Sequence, residues 1–412
     1  MKKLLILLND YPYSFGEYPF INTELSYLLE CYEISILCTS PEDIQTMPLD
    51  SRIKLHHCKL SFGLKEKVRA ILGVLFSKYG WQEISAILKE KKNIPGRLYD
   101  MLSFYGSAMI INEYVRQKHV IEEDEEAFVY SYWFNASCMA FLLRKKRHSF
   151  MKVVSRIHGY DLYDERNAHG RQPFRKFMDQ NIDRLFFIAE NGKKYYLNKW
   201  KDNVDAPKYK VAFIGTENLE PYEVFDVEKN NSFTLVSCSN LIPLKRVGLI
   251  IDALTLIEDV PIRWVHFGTG SMQEELEEKA REQLESKENI EYCFKGFVDN
   301  DKVLSFYKSG KADCFITTSS TEGCPISIQE AMSYCLPIIA TAVGEIPNMI
   351  KGNGELLSDN PIPKEIKNAI MKIYFSENIK EMREISRKLW EEKYDAHKNA
   401  KHFLNELERV FD

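Results

Sequence analysis

Residues 313–341 read DCFITTSSTEGCPISIQEAMSYCLPIIAT. The apolar run 313–317 predicts a strand, residues 326–334 predict a helix, and 337–341 predict a second strand. Pro325 stands where this helix begins, a position that tolerates proline because the first helical amides have no partner inside the helix. Two strands separated by one short helix indicate a βαβ unit of a parallel sheet.

The same alternation extends back to residue 233. We predict further strands at 233–239, 262–268 and 290–294, with helices at 247–257, 272–285 and 300–309. These strands are apolar almost throughout, as expected where helices cover both faces of a parallel sheet. The second half of the chain is therefore predicted to be a doubly wound α/β domain.

The first half repeats the pattern less cleanly. It has strand-like runs at Leu4–Leu8, 33–38, 127–133, 152–158 and 184–190, and helical spacing at 20–29 and within 64–118. A chain of 412 residues is too long for one ordinary core. We predict an α/β fold of two Rossmann-like, doubly wound domains with a cleft between them, since open α/β sheets bind ligands beyond the carboxyl ends of their strands.

The predicted domains are residues 1–213, on which 392–412 pack back, and residues 214–391. The polar segment 208–231 is the predicted linker.

The composition excludes several classes of protein. A formal net charge of −5 disfavours a nucleic-acid binder, and no stretch approaches the roughly 20 apolar residues of a membrane span. The run Leu4–Leu8 is shorter than the apolar core of a signal peptide, about 7–15 residues. The nine cysteines form no CxxC pair. We expect a cytoplasmic protein in a reducing compartment.

Residues 322–332 carry the most chemistry. Amides at Gly323 and Cys324 would face an anionic or hydroxyl-rich ligand at the positive end of the following helix, and glycine lets that ligand approach the backbone. The carboxylates of Glu322 and Glu330 can accept hydrogen bonds from sugar hydroxyls. An isolated pair of glutamates at this spacing more often marks a helix start and a solvated face.

Three further segments hold candidate residues. Lys245 and Arg246 lie just ahead of a predicted helix, where a cation can neutralise a diphosphate; a surface pair is the alternative. His158 closes a strand and can hydrogen-bond a sugar hydroxyl, although such a histidine alone is more often structural. Gly16 lies in the loop after the first strand, where an ordinary turn is an equal alternative.

The string formed by residues 322–332, EG-x-P-x-x-x-x-EAM, resembles the signature of the family-4 retaining glycosyltransferases, which have the GT-B fold. The resemblance implies that Glu322 acts in catalysis and that Gly323, Cys324, Pro325, Ile326 and Glu330 bind a nucleotide-sugar donor. The segment around Lys245 is similar to the family's R-L-x-x-x-K element, which grips the donor pyrophosphate. Asn240 occupies the usual arginine position, and Arg246 is a candidate substitute.

Other segments extend the resemblance. HGYD at 158–161 is similar to an element whose histidine contacts the donor sugar, so His158 joins Lys245 and Glu322 as a catalytic candidate. Asp161 would hold the loop or meet the acceptor. HFGTGS and KGFVDN place Gly268 and Val298 among the donor-binding residues.

The loop after the first strand also resembles the family. It implies that Gly16 lies on the donor phosphates and that Glu17 is on the acceptor side. Glu17, Phe20 and Glu24 fit the form seen in polysaccharide-type members.

Three departures concern the choice of donor. The family usually has glycine where Cys335 and Glu345 stand, and glutamate where Asn348 stands. Glu345 could alter which donor sugar is accepted. The pair Asp299 and Asp301 imitates a metal-binding DxD, but it directly precedes a helical run and is interpreted as helix capping.

We therefore predict a metal-independent hexosyl- or N-acetylhexosaminyltransferase without a cofactor, using a UDP-linked donor and a saccharide or lipid-linked acceptor in capsular, exo- or lipopolysaccharide synthesis. Peripheral contact with the inner face of the membrane could come from residues 64–80 or 144–147, although 64–80 also fits a core helix. The alternatives are a catalytically idle GT-B sugar-nucleotide-binding protein and a nucleotide-sugar epimerase or phosphorylase-like enzyme. An exported two-lobed solute-binding protein would need a signal peptide.

Overall fold

The computed structural model describes residues 1–122, 126–148, 150–200, 207–220 and 232–411. They form two compact units: the first comprises Met1–Ile214 and His397–Asp412, and the second comprises Gly215–Ala396. The sequence placed these divisions at 213/214 and 391/392. Each unit contains one sheet whose described strands are all parallel, with helices packed on it. The predicted α/β class with two Rossmann-like domains is confirmed.

The described part of the first unit has a sheet of seven strands in the order β3-β2-β1-β4-β5-β6-β7. The strands are β1 (Lys2–Leu8), β2 (Tyr32–Cys38), β3 (Lys54–His57), β4 (Ala127–Ser131), β5 (Met151–Ile157), β6 (Arg184–Phe187) and β7 (Tyr209–Val211). The helices are α1 (Tyr18–Cys31), α2 (Leu64–Leu75), α3 (Lys78–Glu90), α4 (Ile94–Gln117), α5 (Ala136–Lys145), α6 (Gly159–Leu162), α7 (Arg175–Asn181) and α8 (Glu190–Trp200).

Strand β1 shows why the first sheet is apolar on both sides. Leu5 and Leu7 enter one hydrophobic cluster, which contains α4 and α5. Leu4, Ile6 and Leu8 point to the other face and enter a second cluster. Since successive side chains of a strand alternate between faces, a sheet covered on both faces requires an unbroken apolar run.

The described part of the second unit has six strands in the order β10-β9-β8-β11-β12-β13. They are β8 (Phe233–Cys238), β9 (Ile262–Phe267), β10 (Ile290–Phe294), β11 (Cys314–Thr317), β12 (Ile338–Thr341) and β13 (Gly354–Leu357). The helices are α9 (Gly248–Thr255), α10 (Gln273–Leu284), α11 (Asn300–Lys308), α12 (Ile326–Ser333), α13 (Ile346–Met349), α14 (Pro363–Tyr374) and α15 (Ile379–Lys393).

The last helix, α16 (Ala396–Phe411), packs on the first unit. Phe403, Leu407 and Phe411 are spaced four residues apart and therefore share one face, which is buried in the cluster beside β1. An ion pair of 2.9 Å between Arg184 and Glu406 adds to this contact.

Three strands were missed by the sequence pattern: β3, β7 and β13. Each has three or four residues and lies at or beside a sheet edge, so its apolar run is too short to be distinguished from a loop. Strand β7 falls inside the predicted linker 208–231, which is therefore not entirely a linker; residues 221–231 lie outside the described residues. Among the helices that the structure describes, none is long and apolar enough to cross a membrane.

Candidate functional site

The carboxyl ends of the second sheet carry most of the candidate residues, because the ends of parallel strands meet at one edge. The loops at this edge are joined by backbone hydrogen bonds. The amide of Leu241 donates to the carbonyl of Thr269 at 2.9 Å, and the amide of Gly268 donates to Gly296 at 2.9 Å. The loops after β8, β9 and β10 therefore form one connected surface.

Two glycines at this edge are required by close packing. Gly268 has φ +130°, and a Cβ there would lie 2.0 Å from the carbonyl oxygen of Ser239. Gly344 has φ +55°, and its Cβ would lie 2.0 Å from the carbonyl oxygen of Glu322. The positive φ and the close carbonyl oxygen explain why glycine is needed at both positions. Donor binding by Gly268 stays a prediction.

Lys245 and Glu322, 77 positions apart in the sequence, meet at this edge. The Nζ of Lys245 donates to Oε1 of Glu322 at 2.5 Å. The side chains are 25% and 13% exposed, so the pair is shielded but reachable. Lys245 ends a short 3-10 turn, and the hydroxyl of Thr318 donates to its carbonyl oxygen at 3.1 Å. The fold thus brings together two of the three predicted catalytic residues.

The start of α12 presents backbone donors beside this ion pair. Pro325 occupies the N-cap position in an extended conformation and Ile326 is the first helical residue. Within the described residues, the amides of Gly323 and Cys324 donate to no other group. A Cβ at Gly323 would meet nothing within 4 Å. This glycine therefore faces open space, as expected where a ligand approaches the positive end of a helix.

Glu330, on α12, has an unusual environment. Burial raises the pKa of its carboxyl to about 7, and the amide of Asn300 donates to its Oε1 at 2.9 Å. The sequence analysis missed this contact of Asn300, because its segment was interpreted as a helix cap. Asp299 does occupy the N-cap position of α11, but its carboxylate makes no capping hydrogen bond.

Arg246 and Asn240 differ in their surroundings. The guanidinium of Arg246 donates to the carbonyls of Thr318, Ser319 and Asp359 and to the side chain of Asn360. Four of its five N–H groups therefore tie neighbouring loops together, and this geometry offers no support for a substitute phosphate ligand. Asn240 is exposed. Because it stands where the R-L-x-x-x-K element has arginine, that position carries no cation. Val298 is half-buried in the loop after β10.

His158 lies at the end of β5 in the first unit, packed against aromatic rings. Its ring centroid is 4.7 Å from that of Tyr132 and 4.4 Å from that of Trp133. Burial and the nearby Arg156 hold the pKa of His158 well below its ordinary value, so the imidazole is neutral. Neither ring nitrogen hydrogen-bonds to a described residue. A buried imidazole with unused nitrogens can bind a ligand hydroxyl, and its catalytic role stays a prediction.

The two acidic residues of the predicted acceptor side act on the backbone. Asp161 accepts the amides of His158 and Phe134, both at 2.6 Å, and burial raises its pKa to about 6. It holds the loop, one of its two predicted roles.

Glu17 accepts the amides of Asn9, Asp10 and Tyr11 at 2.8–2.9 Å and the indole N–H of Trp133. Both its oxygens are occupied, so this geometry offers no support for an acceptor contact. Gly16, beside it, has only ordinary van der Waals surroundings, and its role stays a prediction.

No group of three or more His, Cys, Asp or Glu side chains placed to hold a metal ion occurs in the described parts of the chain.

Two Rossmann-like α/β units make up the GT-B fold, and the second unit carries a lysine near a helix N-terminus that faces open space. The comparisons agree with this fold. Residues 222–389 match the family model described as "Glycosyl transferases group 1", which confirms the resemblance seen in the motifs. The matched residues lie in the second half of the chain, where Lys245 and Glu322 meet.

Solved structures of similar proteins share the whole fold at low identity. The lipopolysaccharide outer core galactosyltransferase WaaB, in its apo form, is 16% identical with a TM-score of 0.69, covering 98% of both chains. Anabaena Alr3699/HepE in complex with UDP and glucose is 13% identical with a TM-score of 0.63, covering 99% of this chain and 100% of that one.

Sucrose-phosphate synthase from Thermosynechococcus elongatus is 12% identical with a TM-score of 0.69, covering 100% and 99%. No curated protein matches the sequence.

Proposed function

We propose that this protein is a glycosyltransferase that moves a hexosyl or N-acetylhexosaminyl group, with retention of anomeric configuration, from a UDP-linked donor to a saccharide or lipid-linked saccharide acceptor during capsular, exo- or lipopolysaccharide synthesis. The observation that carries the proposal is the meeting of Lys245 and Glu322 beside the open space at Gly323. The solved structures of HepE with UDP and glucose and of the galactosyltransferase WaaB support the choice of donor and pathway.

The proposed chemistry rests on charge stabilisation. Transfer places negative charge on a departing diphosphate and positive charge on an oxocarbenium-like sugar. The ammonium of Lys245 and the amides of Gly323 and Cys324 would stabilise the diphosphate, because both are fixed before the reaction begins. The diphosphate would compete with Glu322 for Lys245, and Glu322 would then accept hydrogen bonds from sugar hydroxyls. With these charges supplied by the protein, we propose that the reaction needs no metal ion.

Glu330 would bind the nucleoside part of the donor. A carboxylate at the edge of the site can accept two vicinal hydroxyls, such as those of a ribose. The Asn300 amide fixes one of its oxygens, so the group is oriented before the donor arrives. In the first unit, the neutral imidazole of His158 is the proposed contact for a donor-sugar hydroxyl.

The test is hydrolysis of nucleotide sugars by the purified protein without an acceptor. We expect slow release of UDP from one UDP-sugar, and a decrease of at least about two orders of magnitude in Lys245→Ala, the usual scale for one oxyanion-stabilising group. The exposed Lys364 of the same unit provides the matched control, Lys364→Ala, which should hydrolyse at the wild-type rate. An unaltered rate in Lys245→Ala would remove this lysine from the active site.

Further outcomes separate the alternatives. Proton NMR of the sugar formed first shows whether the anomeric configuration is retained, and an inverted product would refute retention. Nucleotide-sugar binding without turnover on any donor would favour a catalytically idle binding protein. The asparagine at position 240, in place of the usual arginine, also favours this alternative. Conversion of the donor into its epimer without release of UDP would favour an epimerase.

A further inference from the structure

Helix α2 exposes a row of large apolar side chains. Leu64, Val68, Ile71, Leu72 and Leu75 are all more than 40% exposed, and Phe76, directly after the helix, is 88% exposed. At 100° per residue, positions 64, 68, 71 and 75 fall within a sector of about 60°. The helix is buried elsewhere, through Ala70 and Val74. The row, named here the α2 stripe (64, 68, 71, 72, 75 and 76), is therefore a second apolar face that the described residues of the first unit leave uncovered.

Basic side chains flank the stripe. Lys65 and Arg69 lie on one side of it and Lys67 on the other, and all three are exposed. An apolar stripe bordered by lysine and arginine is the pattern of a helix that lies in a membrane interface. A contiguous apolar surface bordered by polar residues generally marks an interaction site.

A cationic cavity of about 440 Å³ begins at the end of this helix. Ser77 and Tyr79, which follow Phe76 by one and three residues, form part of its wall. Its charge comes from Arg116, Arg144, Lys146 and Arg147. Glu113 lines the cavity as well and pairs with Arg116 at 2.7 Å. The chain as a whole carries −5, so this concentration of positive charge is local.

The junction between stripe and cavity is fixed by hydrogen bonds. The Ser77 hydroxyl caps α3 by accepting the amides of Tyr79 and Gly80. The indole of Trp81, itself 56% exposed, donates to the carbonyl of Leu75 at 2.7 Å. The stripe and the cavity wall are therefore held together as one surface, with Trp81 at its border.

We propose that the α2 stripe and this cavity form a docking surface for an anionic phospholipid bilayer. The stripe enters the boundary between headgroups and acyl chains, while the exposed cations of the cavity, Arg116, Lys146 and Arg147, bind lipid phosphates. Charge selects this occupant. A second copy of the chain would bring the same flanking lysines and arginines against each other, whereas anionic headgroups neutralise them. The surface would hold the enzyme next to a lipid-linked acceptor, but docking does not depend on sugar transfer.

The test is co-sedimentation of the full chain with vesicles at low salt. One set contains equal parts phosphatidylcholine and phosphatidylglycerol, and the other contains phosphatidylcholine alone. We expect binding to the mixed vesicles only, weakening as salt screens the charges.

The charge variant Lys146→Glu/Arg147→Glu should bind at least about 25-fold more weakly, since each basic residue near an anionic surface contributes about fivefold. The stripe variant Leu75→Ser/Phe76→Ser should bind about tenfold more weakly.

Matched controls carry the same changes on exposed residues of the second unit: Lys364→Glu/Lys388→Glu and Ile362→Ser/Phe375→Ser. Both should bind like the wild type, and thermal unfolding shows whether each variant is folded. The proposal is overturned if the wild type does not bind the mixed vesicles. It is also overturned if the charge variant and the stripe variant are folded and bind these vesicles as well as the controls.

The proposal is also overturned if the wild type does not bind vesicles but sediments as a dimer that the stripe variant converts to a monomer. That result would assign the stripe to self-association. Donor hydrolysis without vesicles is measured on every variant. A wild type that hydrolyses a donor but does not bind the mixed vesicles refutes only the docking surface. A wild type that binds these vesicles but hydrolyses no donor refutes only the proposed function.

Discussion

Replacing Glu330 by glutamine removes a carboxyl that the native protein holds in its neutral form up to about pH 7. Burial raises its pKa to about 7 from the ordinary 4.5. Between these two pH values the native state keeps a proton that the unfolded chain has lost, so the wild type loses stability as pH rises through this window and no more above it. One pH unit corresponds to about 1.36 kcal/mol, which limits the loss to roughly 3 kcal/mol.

Glu330→Gln should therefore be about 1–3 kcal/mol more stable than the wild type above pH 7 and equally stable near pH 4.5, since the amide oxygen still accepts the Asn300 hydrogen bond. Chemical unfolding of both proteins at pH values of about 5 and 8 measures this difference. The exposed Glu381, on α15, provides the control variant Glu381→Gln, whose difference from the wild type should not vary with pH. A stability difference in Glu330→Gln that is the same at both pH values would refute the reasoning.

Nucleotide binding provides an independent measurement on the same variant. A charged acceptor binds hydroxyls more strongly than a neutral one, by about 1 kcal/mol or more per hydrogen bond. Wild-type affinity for UDP should therefore rise as pH increases through about 7, while Glu330→Gln should bind about tenfold more weakly at pH 8 and show no such rise. Calorimetric titration with UDP tests this, and equal affinities at pH 8 would contradict the proposed contact with ribose.

Substitutions at three positions test the loops of the second unit. In Gly323→Ala the new methyl meets no protein atom within 4 Å, so the free energy of unfolding should change by less than about 0.5 kcal/mol while UDP-sugar binding weakens. The control Gly344→Ala is strained at φ +55° and places its methyl 2.0 Å from a carbonyl oxygen, so it should lose at least about 2 kcal/mol of stability. If a stable Gly323→Ala binds the donor as well as the wild type, no ligand approaches this glycine. Cys335 has φ +62°, so Cys335→Gly should be at least as stable as Cys335→Ala because glycine relieves about 1–2 kcal/mol of backbone strain; a lower melting temperature for the glycine variant would show that this strain is negligible.

Much of the site could be predicted because its residues follow strands directly. Lys245, Glu322 and the start of α12 each come just after a recognisable apolar run, and parallel strands bring their carboxyl ends to one edge. The sequence pattern could not show that the guanidinium of Arg246 hydrogen-bonds to neighbouring loops, that the oxygens of Glu17 accept four N–H groups, or that Asn300 donates to Glu330. Each of these depends on which distant backbone groups arrive within about 3 Å, and local sequence does not encode those distances.

By itself, the sequence determined the two α/β halves, the positions of their longer strands along the chain and the glycosyltransferase resemblance, because hydrophobic periodicity and loop chemistry are local properties of the chain. Tertiary structure alone decided the short edge strands, the ion pair between Lys245 and Glu322, and the raised pKa of Glu330. It also decided that α2 keeps an apolar face exposed, since an amphipathic pattern shows that a helix has an apolar side but not what covers it.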